Sequence, residues 1–266
     1  MRSFADNMNR IVEIKYPPER IISLVPSITE LLFDLGLDNE IIGITRYCIH
    51  PSEKTENKAI VGGTENIDLQ KISELKPDII FAAKEENTKN EIDKLAGSFN
   101  VFICDIKNYD EALNFIVEAG ELVNKSKEAE KMCTDIINRF EKIPHPLTLH
   151  HVAYLIWKDP FMTINKNTFI NSMLEKSGYI NVFADKPEQY PRISTEELQS
   201  SDPEMIFLAS EPYPFEDKHI KELQKLLTDI EIKIVDGEIF SWYGSRMLHA
   251  PEYFEQLMQS IIVNKN

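Results

Sequence analysis

Nine side chains suited to ligand recognition stand at or just after the ends of short apolar runs: Arg46, Tyr47, His50, Trp157, Phe161, Tyr213, Trp242, Tyr243 and Arg246. The chain has two tryptophans, and both fall in this set. Aromatic faces around a gap suit a large flat ligand, each stacked pair adding ~0.5–1.5 kcal/mol beyond area burial. The blander reading is that Trp157 and Phe161 cap a sheet edge. Arg46 and Arg246 carry the planar fork that matches a carboxylate or phosphate. They could equally pair with Glu65 or Glu85. His50 stands two residues from Cys48, so metal ligation is one reading and a hydrogen-bonded loop histidine the other. His145, His150 and His151 form a loose cluster, but adjacent strand residues face opposite ways and do not readily share an ion. No metal site is assigned.

Catalytic signatures are missing. The chain contains no G-x-S-x-G, G-x-x-x-x-G-K-[ST], H-E-x-x-H or G-x-G-x-x-G pattern, and Gly62-Gly63 reads only as a turn. Binding without catalysis is therefore expected, with no intrinsic cofactor. The 29 Lys+Arg against 44 Asp+Glu give a net charge of −15, which disfavours phosphate backbones and anionic lipid surfaces. Neither nucleic-acid binding nor membrane insertion is expected, since no stretch approaches ~18 uninterrupted apolar residues.

The elements that position these residues alternate. Strands are expected at 21–25, 41–45, 78–83 and 100–104, with helices after Thr29, near 68–75 and at 89–96. Further on, strands at 151–157, 161–164, 204–209 and 231–235 alternate with helices at 169–177, 194–200, 217–227 and 251–262. Alternation of this kind builds parallel sheets covered by helices on both faces. Residues 109–142 instead keep helical spacing throughout, with Gly120 the one interruption, and Pro144 and Pro146 follow. One long connector helix, or two abutting ones, is expected there.

The two flanks echo each other. At an offset of 126, LQKISELKPDIIFAA (69–83) lies beside TEELQSSDPEMIFLA (195–209), so that Pro77 meets Pro203 and Phe81 meets Phe207. ITELLFDLG (28–36) pairs with INSMLEKSG (170–178), and VFICD (101–105) with IKIVD (232–236). Three echoes in one order predict an α/β protein of two similar lobes, each with a mainly parallel sheet flanked by helices. The expected boundaries are 1–108 for the first lobe, 109–143 for the connector and 144–266 for the second. Ligands of open α/β sheets bind at the carboxyl ends of the strands, so a cleft between the lobes is expected.

The three cysteines cannot all pair within one chain and form no C-x-x-C, which fits a reducing compartment. The first ten residues lack the apolar core of an export signal. The expectation is a cytoplasmic location for the sequence as written and a periplasmic one if a leader has been removed.

The segments Met8-Asn9-Arg10-Ile11-Val12-Glu13-Ile14, Pro17-Pro18-Glu19-Arg20-Ile21-Ile22-Ser23-Leu24-Val25-Pro26-Ser27 and Thr29-Glu30 resemble the opening of the helical-backbone metal receptors. These are the substrate-binding components of ABC importers for cobalamin, ferric siderophores and haem. Leu75-Lys76-Pro77-Asp78-Ile79-Ile80 is a second family feature, and the likeness runs over essentially the whole chain. Gly43-Ile44-Thr45-Arg46-Tyr47-Cys48 and the Trp242-Tyr243 region resemble the cobalamin-binding branch. The resemblance implies a monomeric two-lobed protein that moves little, holds a metal chelate without reaction and serves an ABC permease. A cobalamin-like corrinoid is favoured over a ferric siderophore or haem. The resemblance further implies that Tyr47 and Trp242 contact the corrin. It also implies a docking glutamate on each lobe; Glu196 matches the second-lobe position, whereas the first-lobe position carries Gln70. Two other readings stay open: a chelatase-type tetrapyrrole enzyme using His50 with Glu85 or Glu86, and a scaffold that has become a protein-interaction module.

Overall fold

A computed structural model of the chain describes residues 1–64, 66–144, 148–228 and 230–264. Glu65, weighed above as an arginine partner, and His145 lie outside the described residues. The chain divides into two compact units. The first comprises Met1–Ile106, Glu111–Ile136 and Tyr243–Arg246; the second comprises Lys107–Asp110, Ile137–Trp242 and the residues from Met247 onward.

The first unit opens with an antiparallel hairpin, β1 (Arg2–Ala5) and β2 (Ile11–Ile14). There follow β3 (Ile21–Ser23), α1 (Pro26–Asp34), β4 (Ile41–Ile44), α2 (Ser52–Thr55), β5 (Ala59–Ile60), α3 (Leu69–Leu75), β6 (Ile79–Ala83), α4 (Lys89–Ala96) and β7 (Val101–Cys104). The five-stranded sheet has the order β5-β4-β3-β6-β7, every pair parallel. Apart from the buried Ser23, its strands are apolar along their length, as expected where helices cover both faces. One face packs Ile22, Ile80 and Ile103 against Ile72, Ile92 and Leu95 from α3 and α4.

The expected 34-residue helical connector is two helices, α5 (Tyr109–Leu122) and α6 (Ser126–Phe140). Asn124 takes a left-handed conformation (φ 60°) and ends the first of them, after which the Lys125 N–H donates to the Gly120 carbonyl at 2.6 Å. Asn tolerates this region better than most residues, so the break is local chemistry that periodicity does not register. Gly120 also lets the helices close up, since a Cβ built there would stand 2.3 Å from Ala129 Cβ.

The second unit carries β8 (His150–Leu155), β9 (Phe161–Met162), α7 (Phe169–Lys176), β10 (Tyr179–Asn181), β11 (Arg192–Ile193), α8 (Thr195–Ser200), β12 (Met205–Ala209), α9 (Asp217–Gln224), β13 (Glu231–Val235), α10 (Gly237–Ser241) and α11 (Ala250–Asn264). A 3-10 turn at Ser245–Leu248 precedes α11. Its four-stranded sheet runs β10-β8-β12-β13, all parallel, and β9 pairs antiparallel with β11.

The sequence echo is a structural one. The order β4-β3-β6-β7 in one sheet corresponds to β10-β8-β12-β13 in the other. Asp68 and Ser194, 126 residues apart, each cap the following helix by accepting the backbone N–H three residues on. Lys76 and Asp202 end those helices with the same left-handed φ of 48°, and Gly36 and Gly178 share a φ of 84°. The strand expected at 161–164 is the shorter β9, while β5 and β10 escape sequence analysis because two or three residues carry no periodicity. No helix of the described residues is long and apolar enough to cross a membrane.

Replacing an interior helical glycine by alanine ordinarily gains up to about 1 kcal/mol. Gly120→Ala instead loses ~1–3 kcal/mol, because the new methyl overpacks the α5–α6 contact. A urea-denaturation midpoint below that of the wild type is expected; a higher one contradicts the close approach.

Candidate functional site

In the first unit the loops after β3, β4 and β6 leave one edge of the sheet, because parallel strands share a direction. The Arg46 N–H donates to the Gly62 carbonyl at 3.0 Å, fastening the loop after β4 to the turn before α3. Gly62 has φ 117°, and a Cβ there would fall 2.2 Å from the Asn66 carbonyl. Beside it Gly63 lies under the site: its Cβ would meet the Tyr47 ring at 3.3 Å and Arg46 Nε at 3.6 Å. Gly62 thus makes the turn, and Gly63 is the surface on which the Arg46 and Tyr47 side chains lie. Tyr47 remains 54% exposed.

Cys48 anchors the same loop from inside, with its Sγ 3.1 Å from Thr29 Oγ1 and 3.2 Å from Thr45 Oγ1. Burial pushes its thiol up, against the pull of those two threonines, and its Sγ is engaged with both hydroxyls. Among the described residues no group of three His, Cys, Asp or Glu side chains could hold a metal ion.

Arg246 does not offer its fork outward. Its Nε and Nη2 donate to the two oxygens of Glu30 on α1 at 2.9 and 2.7 Å, and both side chains are largely buried. Glu30 is the residue that sequence reasoning missed, since 216 positions separate the pair and Glu30 read only as a helix opener. Burial raises the Glu30 carboxyl; Arg246 and, more weakly, the nearby His50 draw it back down. Tyr243 is 8% exposed, with its ring edge-on to Phe115 of α5 at 5.7 Å. Burial raises its phenol strongly, and the charges of Glu86 and Glu85 add to this.

In the second unit, Trp157 closes a tight return at the end of β8, where the Met162 N–H donates to its carbonyl at 3.1 Å. Trp157 is 40% exposed and meets the Tyr213 ring at 5.5 Å, inclined by 69°. Phe161 and Tyr213 are half-buried against the core of this unit. Here the structure brings Trp157 and Tyr213 together, and Phe161 packs on the same core as Tyr213.

Trp242 is held differently. It is 7% exposed, and its indole N–H donates to Glu211 Oε1 at 2.8 Å, an oxygen that also accepts the Ser241 hydroxyl at 2.8 Å. Gly237 permits this corner, because a Cβ there would stand 2.9 and 3.0 Å from the Glu211 backbone N and O. Burial raises the Glu211 carboxyl, opposed by its hydrogen bond from Ser241. Trp242 and Glu211 therefore lock the loop after β12 to α10.

Gln70 and Glu196 occupy matching exposed places in the first turns of α3 and α8. Gln70 donates to Glu74 at 3.0 Å. The Glu196 carboxyl is drawn down by its own backbone N–H and the Ser194 hydroxyl.

The two buried carboxylates respond oppositely to substitution. Glu30→Ala strands Arg246 and costs ~3–5 kcal/mol in chemical denaturation. Glu211→Gln keeps the acceptor and removes a buried charge. Because the folded-state value of Glu211 is raised, its contribution is complete below the ordinary glutamate range and is lost as pH rises through the folded value. The variant therefore melts at or above the wild type at pH 7, and the difference closes toward pH 4. A Glu211→Gln protein that is less stable at both pH values contradicts this assignment.

A family model described as periplasmic binding protein matches residues 21–229. The vitamin B12-binding protein of Pectobacterium carotovorum is 25% identical over 243 residues, covering 88% of this chain and 86% of that protein. Among solved structures, the periplasmic vitamin B12 binding protein BtuF of Vibrio cholerae aligns with a TM-score of 0.72 at 22% identity, over 92% of this chain and 98% of that one. The periplasmic heme-binding protein RhuT from Roseiflexus aligns with a TM-score of 0.75 at 19% identity, over 90% and 98%. These similarities carry the parallel α/β fold. With the family model covering well over half of its length, the chain belongs to the periplasmic binding protein family as a substrate-binding protein.

Proposed function

We propose that this protein binds a metal chelate without transforming it, a cobalamin-like corrinoid ahead of haem or a ferric siderophore. The observation that carries the reading is the pair of exposed aromatics, Tyr47 and Trp157, held at strand carboxyl ends by buried loop anchors. An exposed ring fixed in place loses little entropy on stacking against a planar ligand. Arg46 and His50 supply polar contacts beside Tyr47, and Phe161 and Tyr213 flank Trp157. Trp242, Tyr243 and Arg246 act on the ligand through the loops they hold. The preference for a corrinoid is supported by the Pectobacterium relative. The ligand passes to an ABC permease, which meets Glu196 on α8 and the Gln70–Glu74 face of α3.

Titration with cyanocobalamin, hemin and a ferric siderophore, followed by tryptophan fluorescence and calorimetry, tests this. Saturable binding of at least one is expected, tightest for cyanocobalamin. Tyr47→Ala and Trp157→Ala each weaken it by ~1–3 kcal/mol while leaving the melting temperature unchanged. Saturation by none of the three, or unaltered affinity in both variants, refutes the reading. Conversion of a porphyrin in the presence of a divalent metal points to the chelatase alternative.

A further inference from the structure

His219 lies in the first turn of α9 and is 3% exposed. Its Nδ1 stands 2.8 Å from the backbone nitrogen of Glu216, and its Nε2 stands 3.3 Å from the Tyr213 hydroxyl. A backbone N–H can only donate, so Nδ1 must present its lone pair. The proton of the neutral imidazole is then on Nε2. That N–H donates to the phenol oxygen, and Tyr213 accepts. A phenol that accepts in this way keeps its own O–H for a partner other than His219.

Among the described residues, the Tyr213 hydroxyl makes no side-chain hydrogen bond besides the contact with His219. The rings packed on Tyr213, those of Trp157 at 5.5 Å and Phe215 at 4.7 Å, offer no lone pair. Two carboxylates of the same helix, at its N-cap and one turn beyond His219, are Glu216 and Glu222. They are engaged in ion pairs with Lys218 and Lys158 respectively.

We propose that His219 is a positioning residue that fixes Tyr213 as a hydrogen-bond donor, and that this donor selects chelates with a carbonyl or carboxylate on their periphery. The inference rests on the reading that the loop after β12 faces the ligand. The selectivity follows because a donor fixed in polarity rewards an acceptor at that place and leaves a donor there unpaired.

Two experiments on the full chain test the two halves separately. Nitrogen-15 NMR of the ligand-free protein at pH 8 should show His219 protonated on Nε2 and bare on Nδ1; the opposite tautomer overturns the assignment whatever the ligand. With cyanocobalamin and hemin as probes, Tyr213→Phe keeps the ring and should lower the affinity of the bound probe about tenfold. His219→Asn preserves an acceptor for the Glu216 N–H but no donor toward Tyr213. It should produce the same loss, with no further loss in the double variant. Unchanged affinity in Tyr213→Phe, with saturable binding by the wild type, overturns the selectivity. Failure of the wild type to bind either probe overturns the functional reading and the ligand half of this inference together, and the tautomer remains decided by the imidazole signals.

Discussion

A parallel strand covered on both faces has no room for polar side chains along its length. That constraint governs both units. The strands β3, β6 and β12 and the last four residues of β8 are buried, and apart from Ser23 these buried stretches carry no polar residue but the Tyr154 phenol. Since all strands of a sheet point the same way, the residues so displaced gather along one edge.

Gathering loops at an edge is not enough for recognition, because a loop that moves loses its advantage in ordering entropy on binding. The first unit fixes its loops with Cys48 set between two threonines, with Gly63 under Arg46 and Tyr47, and with Glu30 clasping Arg246. The second fixes them with Glu211 receiving both Trp242 and Ser241, and with His219 capping α9 while touching Tyr213. Each device buries a polar or charged group and satisfies it locally. Burial of such groups favours a single arrangement, because every alternative leaves a donor or acceptor unmatched.

Much of the architecture was legible in the order of elements. The echo between 69–83 and 195–209 reproduces a helix, its cap, its left-handed ending and the following strand, all at the same offset. The helical connector was legible in extent but not in form, since apolar spacing continues through 123–125 while Asn124 turns the backbone. Tyr47, Trp157, Phe161 and Tyr213 were legible as aromatics after strands, and within their own units they stand at such places. Trp242, Tyr243 and Arg246 carried the same signal, yet the structure holds them by Glu211, Phe115 and Glu30. Residue type and position do not distinguish a side chain that awaits a ligand from one already engaged.

The sequence by itself determined the longer strands and helices of both sheets, that the plan occurs twice, and that aromatics stand at strand ends. These are properties of local periodicity and of short-range capping, which neighbouring residues encode. Only the tertiary structure decided which arginine meets which carboxylate, which rings stay exposed and which imidazole nitrogen carries the proton. Such pairings join residues far apart in the chain, and their energies depend on distance and burial, quantities that exist only once the chain has folded.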